Sequence, residues 1–245
     1  MELPVTVRYS IMNFINRIFE NYGVLSSRSC DNFIENNDRF CPSVTGECIT
    51  LDKGSSKVCL FFDSLPDKVI KIPLIHNVSK QQEKIMARDY YFSNKRTNYY
   101  VNQDLCALEV QNYHNAQRAG IDNFFAAEEF VMNYHGVPVY IQDKVKYNYI
   151  DSERYMEDWE DCEEPEELEV LKKIDKIVEE KRYGKIIDIL LESIGFVIDL
   201  YNYSGEETFV SILDFLYYND INDLHEENIG YGFNGNPMFF DYSGF

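Results

Sequence analysis

Asp223 and Asn228 lie five residues apart, and Asp241 follows thirteen residues later, in Ile221-Asn222-Asp223-Leu224-His225-Glu226-Glu227-Asn228 and Phe239-Phe240-Asp241-Tyr242-Ser243-Gly244. On one loop a carboxylate can meet a substrate hydroxyl and a carboxamide can meet a metal ion. A β-hairpin turning through Gly235 can return a second carboxylate to the same metal. Phosphoryl transfer uses that set, because its transition state is stabilised by positioned cations and asks little covalent work of the protein.

The two intervals resemble the catalytic loop and metal-binding Asp of the protein-kinase superfamily, which has an Asp five residues before an Asn and a second Asp beyond a short hairpin. The resemblance implies a strand lysine for the nucleotide phosphates and a helical glutamate to hold that lysine. Val69-Ile70-Lys71-Ile72 follows Cys59-Leu60-Phe61-Phe62 and a Pro66-Asp67 turn, which reads as a hairpin carrying Lys71 on its second strand. Ahead of it, Asp52-Lys53-Gly54-Ser55-Ser56-Lys57 is similar to a phosphate-covering loop, with Gly54, Ser55 and Ser56 as its small residues.

Asp104 to Gly120 has helical spacing of Leu105, Leu108 and Ala116 and ends in a glycine suited to a helix C-terminus. Glu109 is its candidate glutamate. An insertion over 75–103 carries a helix-like run from Ser79 to Tyr91, which makes Glu83 a competing partner for Lys71. The next strands are expected after Phe125 and at Val137–Ile141, with Asp143, Lys144 and Val145 as a nucleotide-binding hinge.

The resemblance therefore implies ATP and Mg2+ as cofactors. Lys71 would hold the phosphates, Glu109 would orient Lys71, Asp223 would act on the acceptor, and Asn228 and Asp241 would hold metal. His225 sits in Asp-Leu-His-x-x-Asn, which is similar to aminoglycoside and choline phosphotransferases and to the compact early serine/threonine kinase of lytic bacteriophages. Ile221-Asn222 stands where protein kinases carry His-Arg, which removes the usual pairing to a phosphorylated activation loop. Asp241-Tyr242-Ser243 replaces Asp-Phe-Gly, and the sequence runs only four residues past Asp241, so a truncated second lobe is expected.

With 42 acidic against 23 basic residues, the formal charge is −19, which repels nucleic acid and anionic membrane and leaves protein substrates or basic protein partners. The six cysteines form no Cys-x-x-Cys pair and read as reduced thiols of a cytoplasmic protein, in the host cytoplasm if the chain is phage-encoded. No apolar run spans a membrane and the N-terminus has no signal-peptide pattern.

The expected fold class is α+β, a two-lobed kinase-like fold with nucleotide between the lobes. Residues 1–40 form a helical extension, with a helix over Val7–Phe19 and an Asn-rich link from Asp31 to Arg39. Residues 41–145 form a first lobe with a five-stranded antiparallel sheet. Residues 146–245 form a reduced second lobe, with helices over Leu168–Arg182, Lys185–Tyr203 and Glu207–Leu216. Protein phosphorylation is the leading expectation. The alternatives are a small-molecule phosphotransferase whose acceptor site lies within Tyr147–Tyr203, and an acidic pseudokinase-like protein that inhibits a nucleic-acid-handling defence partner.

The densest charge run, 151–169, places acidic residues around the single Trp159. A solvated loop and a recruitment site for a basic partner are the two readings of it. If it recruits, neutralising Glu157, Asp158, Glu160 and Asp161 together slows phosphate transfer to a basic target and leaves ATP affinity unchanged. Equal transfer rates for parent and variant make it a solvated loop.

Overall fold

Period-two alternation in the first half of the chain sorts side chains onto the two faces of one antiparallel sheet. A computed structural model describes residues 3–36, 39–42, 46–54, 56–75, 79–93, 104–146, 165–181, 183 and 193–243, and its mixed helices and strands make the protein α+β. The sheet joins β1 (Arg39–Phe40), β2 (Ile49–Lys53), β3 (Lys57–Phe62), β4 (Lys68–Pro73), β5 (Glu128–Tyr134) and β6 (Val137–Asp143) in the order β1-β2-β3-β4-β6-β5. It has six strands where five were expected, because the two-residue β1 pairs with β2 through Arg39↔Thr50 and Phe40↔Ile49.

One face of this sheet is apolar. Val58 and Leu60 pair with Ile72 and Ile70, and Ile70 pairs with Ile141. These residues share a core with Val7, Ile11, Phe14, Ile15 and Ile18 of α1 (Val5–Tyr22) and with Cys30 and Phe33 of α2 (Ser27–Asn36). The expected Asn-rich link is thus helical for most of its length. Asn32 is exposed, while Cys30 and Phe33, three residues apart, put one stripe in the core. A bulge between Phe130 and Met132 reverses the alternation of β5, so Phe130 lies opposite Tyr140 while Met132 lies opposite Val139. Met132 and Tyr134 thereby join the apolar core.

The opposite face carries polar groups. Cys59 pairs with Lys71, Lys71 with Tyr140, and Glu128 with Gln142. α3 (Lys80–Ser93) lies within the expected insertion, and α4 (Leu105–Ala119) ends at Gly120, whose φ of +73° suits a glycine.

Further helices are α5 (Pro165–Lys181), α6 (Ile194–Ser204) and α7 (Glu206–Tyr218). The expected start of α6 near Lys185 falls partly on 184–192, outside the described residues. Also outside them are Ser55, Gly244 and residues 147–164, which include Tyr147 and Trp159. A hairpin of β7 (Ile229–Tyr231) and β8 (Pro237–Phe239) packs in one core with Phe125, Phe196, Phe209, Leu216 and Tyr242. The chain divides into a first unit, Met1–Val110 with Glu128–Lys144, and a second, Gln111–Ala127 with Val145–Phe245.

The cysteine expectation needs correction, since Cys41 and Cys48 form a disulfide. They are the next residues inward from the Phe40↔Ile49 pair, so the β1–β2 hairpin itself brings them opposite each other. Disulfides are rare in the cytosol, which removes the thiol argument for that compartment. Cys30, Cys59 and Cys106 are free thiols. Among the described residues no helix is long and apolar enough to cross a membrane.

Phe14, 1% exposed, packs edge-on against Phe33 and Phe40 at centroid distances of 5.6 and 6.5 Å. Phe14→Ala should cost about 3–5 kcal/mol, and the exposed Tyr218→Ala less than about 0.5 kcal/mol. Urea unfolding followed by circular dichroism checks this, and equal midpoints for the two variants would contradict the packing described.

Candidate functional site

Glu109 is a charged residue in the buried stripe of a helix. Leu105, Cys106, Glu109, Asn112 and Ala116 are all buried, at the three- and four-residue spacing of one α4 face. Asp104 fixes the start of the helix. Its Oδ1 accepts the Ala107 N–H at 3.0 Å, and its Oδ2 accepts the Tyr140 hydroxyl at 2.5 Å, so the cap is also tied to β6.

One turn later the Glu109 carboxylate meets two lysines. Oε2 accepts from Lys71 Nζ at 2.5 Å, and Oε1 accepts from Lys57 Nζ. Of the two candidate partners of Lys71, Glu83 lies elsewhere in the first unit, bonded to Ser26 Oγ and paired with Arg28 at 3.0 Å. Lys57 went unnoticed in the sequence, although its parity announces it. Two residues before Cys59, the cross-strand partner of Lys71, it must share the face of Lys71.

Glu128 and Gln142, also unanticipated, complete the cluster. Glu128 Oε2 accepts from Gln142 Nε2 at 2.7 Å and from Lys71 Nζ at 3.2 Å, while Oε1 has no donor facing it among the described residues. Burial alone would raise the Glu109 carboxyl, but Lys57 and Lys71 outweigh it and hold the group well below the ordinary carboxylate range. Glu128 moves the other way, pushed up first by burial and then by the charge of Glu109. An ionised Glu128 would leave Oε1 unsatisfied in the core. A protonated one becomes a donor, with the Glu109 carboxylate as its acceptor. The same surroundings push up the Cys106 thiol, first through burial and then through the neighbouring carboxyl groups of Glu128 and Glu109.

Gly54, between β2 and β3, is exposed and donates its N–H to the Lys57 carbonyl at 3.0 Å. Ser56 follows it, half-buried, and its carbonyl accepts the Leu74 N–H at 2.7 Å. Asp143 stands in β6 opposite Lys68 and is ion-paired with it, so it belongs to the sheet as well as to the expected hinge.

In the second unit, α7 ends through Asn219 and Asp220, the latter at φ +54°, a left-handed conformation that Asp tolerates. Ile221 and Leu224 are fully buried pegs, and between them Asn222 and Asp223 face solvent. Asn228 closes this loop by donating from Nδ2 to the Asp223 carbonyl at 2.7 Å, which leaves Oδ1 as its atom for a cation. His225 Nδ1 accepts the Glu227 N–H at 3.2 Å, so in the neutral ring Nε2 carries the proton, toward Asp223 Oδ1 at 3.5 Å. The 3.1 Å approach of Asn228 Nδ2 to that nitrogen is then a contact between two donors.

The hairpin places Asp241. A Cβ at Gly230 would stand 2.6 Å from the Lys146 carbonyl oxygen, so only glycine allows residue 146 to pair with Tyr231 there. Val145 packs at the same spot, 2.7 Å from that Cβ position. On either side of Asp241 the chain is anchored to one backbone segment. The Phe239 carbonyl accepts the Ala126 N–H at 2.8 Å, and the Tyr242 hydroxyl donates to the Ala126 carbonyl at 2.6 Å. Asn112 Nδ2 adds a bond to the Tyr242 carbonyl at 2.9 Å. Asp241 is half-buried.

Among the described residues, no group of three or more His, Cys, Asp or Glu side chains gathers as a metal centre. A carboxylate and a carboxamide oxygen suit Mg2+, which binds through one or two protein ligands with phosphates and waters supplying the rest. No family model matches the chain, and neither does any curated protein or solved structure.

Because its folded pKa is raised, Glu128 contributes stability that is fully present below about pH 4.3 and lost as pH rises toward the folded value, at up to about 1.4 kcal/mol per pH unit. Glu128→Gln mimics the protonated form and should remove this part of the decline above about pH 4.5. Urea unfolding from pH 4.5 to 8 measures it, and identical pH slopes for parent and variant would show that Glu128 is ionised in the folded protein.

Proposed function

We propose that the chain transfers the γ-phosphoryl group of ATP, with Mg2+, to serine or threonine hydroxyls of proteins, as a compact kinase of the bacteriophage type. The observation that carries this reading is the buried Lys71–Glu109 ion pair, a strand lysine held by a helical glutamate. Buried ion pairs are poor stabilisers, whereas a fixed ammonium is what a polyphosphate needs.

In this reading Lys71 holds the α- and β-phosphates, with Glu109 setting the direction of its ammonium. Asn228 and Asp241 hold Mg2+, which supplies charge neutralisation of the phosphates when bound. The exposed Asp223 orients the acceptor hydroxyl and takes its proton. The hydroxyl oxygen forms the new bond to the γ-phosphorus as the bond to the β–γ bridging oxygen breaks, and the electron pair leaves on ADP. His225 steadies the Asp223 carboxylate from the same loop. Its place in Asp-Leu-His-x-x-Asn favours a second reading, transfer to a small hydroxyl compound. A non-catalytic acidic binding protein is the third reading, resting on the −19 formal charge.

Radiolabelled ATP with purified chain and host lysate separates these readings as labelled protein, labelled soluble product, or no transfer. Asp223→Asn should lower transfer by about 10²-fold or more while keeping the rise in melting temperature with millimolar MgATP, and Asp241→Asn should lose both. Parental transfer by both variants would remove the assigned roles. Absence of a MgATP-dependent melting shift in the parent would favour the binding-protein reading.

A further inference from the structure

We propose that Lys57 is a second phosphate-holding cation, which with Lys71 forms a two-ammonium clamp for a polyphosphate chain; this rests on the phosphoryl-transfer reading. Orienting Lys71 requires one carboxylate oxygen. Glu109 uses Oε2 for Lys71 and gives its other oxygen to Lys57, so one carboxylate aligns two ammonium groups. Both lysines are buried to within 5% of complete enclosure and emerge on the same sheet face, from adjacent strands.

The position of Lys57 adds a second reason. It is the first residue of β3, and its own carbonyl accepts the Gly54 N–H at 3.0 Å. Among the described residues, a Cβ at Gly54 would have only the Lys57 carbonyl oxygen near it, at 3.9 Å. With no side chain at Gly54, a phosphate can approach the backbone beside this ammonium. A second buried ion pair on Glu109 adds little net stability, since exchanging buried ion pairs for apolar residues is often neutral or stabilising. A mobile triphosphate has adjacent charged groups along its length, and two lysines fixed on one carboxylate offer it two adjacent cations.

Isothermal titration of the full chain with MgATP and with inorganic tripolyphosphate tests this, using parent, Lys57→Met, Lys71→Met and Lys57→Arg. We expect Lys57→Met to weaken both ligands by about tenfold or more, comparably to Lys71→Met, and Lys57→Arg to retain most of the affinity. If Lys57→Met folds and binds both as tightly as the parent, the proposal is overturned and the phosphoryl-transfer reading survives. A parent that binds tripolyphosphate through Lys57 but neither binds MgATP nor transfers phosphate leaves the clamp standing and removes the kinase reading. A parent that binds neither ligand removes both. Should Lys57→Met fail to fold, 15N-lysine NMR of the parent decides. Both ammonium resonances, assigned with Lys57→Arg, should move on adding tripolyphosphate, and a shift confined to Lys71 rejects the clamp.

Discussion

A single buried carboxylate governs the first unit. Glu109 is fully enclosed, and an isolated charge there would be expelled from the core or neutralised. It stays ionised because two ammonium groups reach it, and they do so because β3 and β4 present Lys57 and Lys71 on one face. That demand fixes the height and rotation of α4, which the Asp104 cap secures by bonding both the helix start and Tyr140. Proton sharing follows from the same constraint. With Glu109 charged, Glu128 beside it is driven to keep its proton, so one carboxyl of the pair serves as anion and the other as donor.

The second unit reaches a comparable definition by other means. Its loop is pegged by the apolar Ile221 and Leu224 and closed by Asn228 on the Asp223 carbonyl. Asp241 is held through its neighbours, since Phe239 and Tyr242 both bond Ala126 and pack around Phe125. Here the backbone is pinned by hydrogen bonds and apolar packing while the carboxylate of Asp223 remains exposed. Lys71 and Glu109 are instead enclosed, which gives their charges the low-dielectric surroundings in which positioning matters most.

Local features were legible in the sequence. The Pro66-Asp67 turn between two β-rich runs placed Lys71 on a strand, and the five-residue interval from Asp223 to Asn228 is short enough for loop geometry to follow from spacing. Long-range choices were not. Glu83 and Glu109 both lie on helical patterns, and only the fold shows which one enters the buried stripe, because a Glu in that stripe looks like a break in amphipathicity. Asparagines concealed α2, whose burial rests on a few residues such as Cys30 and Phe33. The Cys41–Cys48 pairing depends on a hairpin with a two-residue strand, too short to register as a pattern. Lys57 was readable by strand parity once its hairpin register was known, whereas nothing local marks Glu128, whose role comes from the strand beside it.

The bulge in β5 bears on how the protein behaves in a crowd. Among the described strands β5 is an edge, and a regular edge offers an unpaired row of backbone donors and acceptors to any passing extended peptide. The irregularity between Phe130 and Met132 interrupts that row near its middle, while Glu128 and Glu129 lie at its start. Recruiting Met132 and Tyr134 into the core therefore also spoils the template for intermolecular zippering. The residue that turns the alternation inward makes the sheet a poor nucleus for fibres.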